Sequence, residues 1–187
     1  MEVEPIRKQE KISEMKEFLR RKGGCYELLF VMGLNTALRI GDLLSLSVSD
    51  VTDDDGKILE AICVKEQKTG KLKRLPVNES MEKTLADYLA AYPNRKRYMP
   101  LFISQKCRVL SRSQAWRTLR AAGEYAGLYN IGTHSLRKTF GYHAYKKSGS
   151  DLELVQKLLN HSSGKITLRY IGIDREKMDN MYMELNL

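Results

Sequence analysis

The sequence predicts a single α+β domain that is mainly α-helical and contains one small antiparallel hairpin. Its 187 residues suit one compact core that buries about two-thirds of the surface of the unfolded chain. Apolar residues recur at helical spacing in most segments, whereas only residues 57–77 read as two strands around a Thr-Gly turn. We therefore expect one domain over residues 1–187, with residues 1–9 as a flexible lead-in.

Two helices are expected before the hairpin. The first covers residues 7–22 and ends at a Gly-Gly pair, and the second runs from about residue 25 to 35. The second helix is apolar on all sides, which predicts a central position. Arg39 follows at its end or in the turn beyond, and Asp42 could pair with that guanidinium and orient it. The alternative is an exposed ion pair of little energetic value.

The hairpin places a lysine at a turn. Strands are expected near residues 57–66 and 71–77, so Lys68 lies at the tip, where a lysine is usually solvated. Lys71 is close by, and the pattern alone does not separate the two. Asn78 is a suitable cap for a helix that reaches about Ala91.

The second half of the chain reads as helices. Ser111 or Ser113 can cap a helix over residues 111–128, with Trp116, Leu119 and Tyr125 forming an apolar face. The arginines of this helix would then point elsewhere, where they could line a polyanion.

A helix from about Thr133 carries His134 and Arg137 on one face near its N-terminus, where backbone amides favour an anion. His143 lies nine residues after His134, a rotation of about 180° at 100° per residue, which indicates a structural role.

The last third supplies a histidine and two candidate tyrosines. Asp151 can cap a short helix over residues 151–160. His161 follows this helix, either as a C-terminal cap without a chemical role or as a residue that takes part in the reaction. A further helix after Gly164 carries Tyr170. Tyr182, in the terminal helix, is the second candidate nucleophile.

Charge and cysteine content narrow the function class. The net charge is +9, and residues 101–150 hold nine Lys and Arg against one Asp or Glu. Such a concentration fits a polyanion partner, with candidate contacts at Arg112, Arg117, Arg120 and Lys138, but charge alone fits a solvated basic face equally well. Three separated cysteines without a C-x-x-C pair predict buried, reduced thiols. Neither a membrane span, a nucleotide loop nor a metal-binding carboxylate cluster is evident, so we expect no cofactor, no metal and no membrane partner.

Four separated motifs together resemble the catalytic domain of the tyrosine recombinase (phage integrase) family over about residues 10–187. They are TALRIGDLLSL, the hairpin KTGK, the box HSLR and the box LNHSS followed by a tyrosine nine residues after its histidine. The resemblance assigns the catalytic roles to Arg39, Lys68, His134, Arg137, His161 and the nucleophile Tyr170, with Asp42 in support. It selects Lys68 over Lys71. Asn160 stands where the family usually has glycine, and asparagine tolerates the left-handed conformation expected there.

The resemblance implies a site-specific DNA recombinase or integrase. Such an enzyme cleaves and rejoins double-stranded DNA through a 3′-phosphotyrosyl intermediate without ATP or metal. Family members act as tetramers on two duplexes and exchange a C-terminal segment, here residues 171–187, which could instead pack on its own domain. We expect a free monomer in the cytoplasm of a bacterium, encoded by the host or a phage. Many relatives carry an additional N-terminal domain that clamps DNA. A type IB topoisomerase and a non-catalytic DNA-binding module are the alternatives.

Overall fold

The computed structural model describes residues 3–104 and 108–185. Nine helices and one two-stranded sheet form this part of the chain. The helices are α1 (Gln9–Lys22), α2 (Tyr26–Thr36), α3 (Ile40–Leu44), α4 (Glu79–Ala91), α5 (Arg112–Tyr125), α6 (Thr133–Lys147), α7 (Leu152–Leu159), α8 (Gly164–Ile171) and α9 (Ile173–Leu185). The strands are β1 (Ala61–Lys65) and β2 (Leu72–Pro76).

Helix α2 is central, as its apolar sequence predicts. Met32 packs into a cluster with α3, the hairpin and α4, whereas Phe30 packs into a second cluster with α1 and α5. Gly33 lets α6 approach closely, because a Cβ at this position would collide with Leu136. A third cluster joins α6, α7, α8 and the start of α9, and Ala37 at the end of α2 reaches into it. The segment after α2 therefore lies where the clusters meet.

The hairpin is confirmed, with shorter strands than the sequence indicates. The pairing is antiparallel and places Ala61 opposite Pro76 and Lys65 opposite Leu72. Residues 57–60 lie outside the strands, and helix α3 and a short 3-10 turn at Val48–Asp50 were not expected. The tip covers residues 66–71 and includes the predicted catalytic lysine.

Side-chain caps fix the helix starts that position the site. Asn78 accepts from the amide of Met81 at 3.0 Å, and Asp151 accepts from that of Leu154 at 2.9 Å. Ser111 rather than Ser113 caps α5, with its hydroxyl accepting from the Gln114 amide. All three are short polar side chains that satisfy an amide in the first turn of a helix.

The predicted flexible lead-in is anchored over the residues that the structure describes. Ile6 is only 1% exposed, and its amide donates to the Thr139 hydroxyl at 2.8 Å. His143 Nε2 donates to the Ile6 carbonyl at 3.0 Å, and the Glu4 amide donates to the Asn130 carbonyl. The segment is therefore part of the fold, and the structural role predicted for His143 is to hold it.

Two smaller expectations are wrong. In α5 only Leu119 of the expected apolar face is buried, while Trp116 and Tyr125 are exposed. Cys25 is a buried free thiol, but Cys63 is exposed on the outer face of β1, and Cys107 lies outside the described residues. None of the described helices is long and apolar enough to cross a membrane.

Candidate active site

Arg39 is placed by a sharp turn after α2. Helix α2 ends at Ala37, which has a left-handed conformation (φ 55°), and Arg39 is then the extended N-cap of α3. Its side chain is 24% exposed, and Nη1 donates to Glu66 Oε1 at 3.1 Å. The guanidinium is therefore held from the protein side and open on the other.

Asp42 has a different contact from the one expected. Its Oδ1 accepts from the Gln67 amide at 2.9 Å, while the carboxylate that binds Arg39 belongs to Glu66. Asp42 is 2% exposed, and Oδ2 has no hydrogen-bond partner among the described residues. Asp42 thus ties α3 to the hairpin tip and does not orient the arginine directly.

Arg137 comes from the first turn of α6 and is almost fully buried, at 3% exposure. Its two terminal nitrogens donate to the carbonyls of Ala37 and Leu159, so it joins the ends of α2 and α7. Its Nη1 is also 3.9 Å from Glu66 Oε1. Burial lowers the pKa of Arg137, although a guanidinium remains charged in proteins. Both arginines thus converge on one anionic oxygen.

Glu66 and Lys73 are site residues that sequence reasoning missed. Glu66 is 2% exposed; burial alone would raise its pKa, but hydrogen bonds from Thr69 and Asn160, together with the two arginines, hold the pKa below its usual value. Lys73 Nζ donates to the carbonyls of Leu158 at 2.9 Å and Thr36 at 3.3 Å. Burial, and then repulsion by Arg137, lower its pKa to about 8. The one feature of the sequence that could have indicated these two residues is their position on either side of the predicted hairpin tip.

His161 and Tyr170 lie edge to face, with ring centroids 4.8 Å apart. Asn160 has the expected left-handed conformation (φ 50°, ψ 47°) at the end of α7, and this turn delivers His161. His161 Nδ1 is 3.2 Å from the Thr167 hydroxyl, which fixes the ring orientation. Burial, with Arg137 and Arg39 nearby, lowers the His161 pKa to about 4, so the imidazole is neutral at pH 7.

Tyr170 is partly buried on α8, between histidine and cations. Burial raises its phenol pKa, although Arg137, which hydrogen-bonds to it, and Arg39 act in the opposite direction. The ammonium of Lys138 lies 5.3 Å from the centroid of the Tyr170 ring. Lys138, predicted as a DNA contact, is 6% exposed and therefore lies beside the phenol rather than on an open face.

Lys68, His134 and Arg112 lie around the opening of the site. Together with Arg39 they line one cleft, and Arg112 rests on Gly41, where a Cβ would collide with its guanidinium. All three side chains are exposed. Desolvation and the charges of Arg137, Lys138 and Arg39 lower the pKa of His134, which favours its neutral form.

The structure thus brings together the six predicted catalytic side chains, four in contact and two at the opening. The remaining candidates lie elsewhere: Arg117 and Arg120 are exposed on α5, and Tyr182 is 79% exposed on α9. Arg120 is also bound to Glu124 at 2.9 Å. Within residues 3–104 and 108–185, no three His, Cys, Asp or Glu side chains form a group that could hold a metal.

Comparison with known proteins identifies the family from residues 8–177, which match the profile described as the Phage integrase family. The chain belongs to this family. A Bacillus subtilis (strain 168) protein named "Probable integrase/recombinase YoeC" is 43% identical over 175 residues, which cover 93% of this chain and 92% of that protein. The tyrosine recombinase XerC of Rhodospirillum centenum is 33% identical over 156 residues, but the match covers 82% of this chain and only 44% of XerC. The chain thus spans less than half of that relative.

Solved structures show the same fold. The XerA recombinase superposes with a TM-score of 0.74 at 22% identity, over 99% of this chain and 65% of that chain. A lambda integrase tetramer bound to a Holliday junction gives 0.67 at 19% identity, over 91% and 48% of the two chains. The family resemblance, the mainly helical fold with a hairpin, and the interpretation as an integrase or recombinase are all confirmed.

Proposed function

We propose that this chain cleaves and rejoins double-stranded DNA through a covalent bond between Tyr170 and the 3′-phosphate. One observation carries the proposal. Arg39 and Arg137 approach the same carboxylate oxygen of Glu66, at 3.1 and 3.9 Å, and the His161–Tyr170 pair lies beside them. Two guanidinium groups directed at one anion, next to a phenol, are the parts that phosphoryl transfer to tyrosine requires.

The arginines would stabilise the transition state. A phosphodiester gains charge on its non-bridging oxygens as the phenol attacks, so cations fixed in advance lower the barrier. Arg137 is held by two backbone carbonyls and Arg39 by Glu66, so neither needs to reorganise. Loss of one such donor costs about 10²- to 10³-fold in rate by analogy with oxyanion holes.

Two protons must move during cleavage. The raised pKa of Tyr170 keeps the phenol protonated at neutral pH, so a base must accept its proton. His134 is the candidate base because its lowered pKa keeps the imidazole neutral. His161 directs its Nδ1–H at Thr167, whose hydroxyl proton goes to the Ser163 carbonyl, so it would donate to the phosphate from Nε2 as the imidazolium, with the bound anion raising its pKa. The leaving 5′-oxygen needs a proton, for which Lys68 at the cleft is the candidate. General acid catalysis is typically worth about 10²- to 10⁴-fold.

The covalent intermediate would conserve the energy of the phosphodiester bond. Cleavage leaves Tyr170 joined to the 3′-phosphate and a free 5′-hydroxyl, and attack by that or another 5′-hydroxyl restores the DNA strand and releases the phenol. Neither ATP nor a metal takes part in this sequence of steps. Cleavage in the presence of EDTA is therefore part of the proposal.

Recombination between two duplexes needs several protomers. We place the contact between protomers at α9, whose first turn is held by Glu176 through Lys146 at 2.7 Å. Beyond that turn the helix exposes Met178, Met181, Tyr182, Met183 and Leu185. Exposed apolar side chains concentrated on one terminal helix favour its exchange into a neighbour within a DNA-bound tetramer. The free protein would be a monomer that acts in the bacterial cytoplasm.

The test is formation of a covalent adduct on a nicked duplex that traps the intermediate. Tyr170→Phe removes one hydroxyl and almost no volume, so DNA binding should persist while the denaturation-resistant adduct disappears. Tyr182→Phe, on exposed α9, is the matched control and should form the adduct at the wild-type level. Mass spectrometry after nuclease digestion should find the nucleotide remnant on Tyr170.

The alternative functions give different results in the same assay. Absence of any adduct would refute the enzyme and leave a DNA-binding module. Adduct formation without strand exchange between two duplexes would indicate a topoisomerase. Cleavage that strictly requires magnesium would contradict the tyrosine mechanism.

A further inference from the structure

Asn160 differs from the glycine usual at its position in the family, and its side chain has contacts that glycine lacks. The left-handed turn at the end of α7 needs only the backbone (φ 50°, ψ 47°), which glycine would adopt more easily. The carboxamide is therefore unnecessary for the turn. Its contacts suggest a separate role.

Both ends of the carboxamide bind the hairpin. Nδ2 donates to Glu66 Oε2 at 3.1 Å, and Oδ1 accepts from Lys71 Nζ at 3.1 Å. This orientation of the amide is the only one that satisfies both partners, because a carboxylate needs a donor and an ammonium needs an acceptor. Glu66 follows β1 and Lys71 precedes β2, so the two contacts enclose the tip that carries Lys68.

The other side of the tip is held independently. Asp42 Oδ1 accepts from the Gln67 amide at 2.9 Å, and the Thr69 hydroxyl donates to Glu66 Oε2 at 2.7 Å. The Asp42 contact ties the tip to α3 and the Thr69 contact lies within the tip, whereas Asn160 approaches from the end of α7. Without the carboxamide, Lys71 would lose its contact with the end of α7, and Glu66 would keep Thr69 and the two arginines.

We propose that Asn160 is a positioning residue that holds the hairpin tip so that Lys68 lies at the reacting phosphate. The inference rests on the proposed function, in which Lys68 protonates the 5′-oxygen. Asn160 does not touch the phosphate in this scheme, and Glu66 contacts the arginines through its other oxygen, Oε1, so the role of Asn160 is confined to the proton transfer. Its removal should therefore slow only reactions that need the proton from Lys68.

The variant Asn160→Gly deletes both contacts and keeps the turn. Single-turnover cleavage should be about 10-fold slower, the factor expected for loss of roughly one hydrogen bond to a charged group, while the Kd for DNA stays unchanged. On a substrate with a 5′-bridging sulfur, whose leaving group needs no proton, Asn160→Gly should cleave as fast as the wild type. Lys68→Ala should show the same rescue with a larger defect on the normal substrate.

Matched variants of the hairpin test the geometry. Lys71→Met removes one of the two contacts and should give a smaller defect with the same rescue. Lys65→Met, an exposed lysine of β1, should behave as the wild type. Equal slowing of Asn160→Gly on both substrates, or no slowing on the normal one, would overturn the proposal.

Hydrogen exchange separates this inference from the proposed function. Amides of residues 66–71 should exchange faster in Asn160→Gly than in the wild type, whether or not DNA is present. If the wild type forms no adduct, the proposed function fails, and the exchange rates still decide whether Asn160 holds the tip. Unchanged exchange in the variant would refute the positioning role.

Discussion

The protein side and the opening of the site are built differently. On the protein side, Asp42, Glu66 and Arg137 are each at most 3% exposed and bind backbone groups or each other. At the opening, Lys68 and His134 are exposed around one cleft. We refer to the first set, with Lys73, as the rear wall and to the second, with Arg112, as the rim.

The difference separates the two tasks of the site. Rear-wall groups are fixed before DNA arrives, so the charge of Arg137, held by its neighbours, stabilises the transition state without a reorganisation cost. Rim groups must meet a duplex and transfer protons, which requires freedom and solvent access. Changes in the rear wall should therefore reduce both stability and catalysis, whereas changes at the rim should reduce binding or catalysis alone.

The largest expected effect is the replacement of Arg137. Arg137→Ala removes the donor to two buried carbonyls and one of the two arginines beside Glu66, and breaking a buried ionic contact costs on the order of 3 kcal/mol. For a domain of this size that is a fall in Tm of about 6–12 °C, in addition to about 10²- to 10³-fold slower cleavage. Thermal unfolding and single-turnover cleavage measure the two effects.

Arg39 provides the comparison for this prediction. It is 24% exposed, and among the described residues its side chain is held by the single ion pair with Glu66, so Arg39→Ala should lower Tm by less than about 4 °C. Its loss of cleavage should nevertheless be comparable to that of Arg137→Ala. Arg74→Ala, on the exposed face of β2, is the control and should change neither. An Arg137→Ala protein with the wild-type Tm would show that the carbonyl contacts do not stabilise the fold.

The catalytic residues could be predicted because each motif is local and its order along the chain is characteristic. The rear wall could not, since its contacts join distant segments: Glu66 binds Arg39 across 27 residues and Asn160 across 94. The expected Arg39–Asp42 pair rested on their separation of three residues in the sequence. Arg39 is instead an extended N-cap, and its side chain points to the hairpin.

Apart from the short helix α3, the helices and the caps of α4, α5 and α7 followed from the sequence. The packing partners of segments that look exposed in the sequence did not. The lead-in is polar and short, yet Ile6 inserts under α6, which no periodic pattern predicts. Trp116 fits the apolar face of a helical wheel, but Ala115, Leu119 and Ala122 provide the contact surface of α5. Small residues allow closer packing there, so the tryptophan remains at the surface.

A second prediction compares arginines on α5, one at the rim and two further along the helix. Neutralising a phosphate contact should reduce the slope of log affinity against log salt by about 0.9. Arg112 at the cleft and exposed Arg117 should each show this change when replaced by glutamine. Arg120 must first leave Glu124 and Trp116, so its replacement should have a smaller effect.

Binding measured across a range of salt concentrations tests this order. The control is Lys83→Gln on α4, because Lys83 is exposed and lies outside the basic segment at residues 101–150. A slope unchanged by all three α5 variants would place that helix, including its end at the cleft, away from the DNA phosphates.

The last prediction is a pH dependence of stability that arises from the rear wall. Burial and Arg137 lower the pKa of Lys73 to about 8, against about 10.4 in an unfolded chain. Between these values the unfolded state binds more protons than the folded state, so this lysine makes the free energy of unfolding rise with pH from about 8 to 10.4. The charged groups that lower the Lys73 pKa are Arg137 and Arg39, and Glu66 and Asp42 oppose them.

Lys73→Met should remove this rise in the free energy of unfolding. The stability difference between wild type and variant should therefore change between about pH 8 and 10.4 and stay constant from pH 6 to 7. Denaturant unfolding of both proteins measures it, and parallel pH profiles would show that Lys73 titrates as a solvated residue and does not belong to the rear wall.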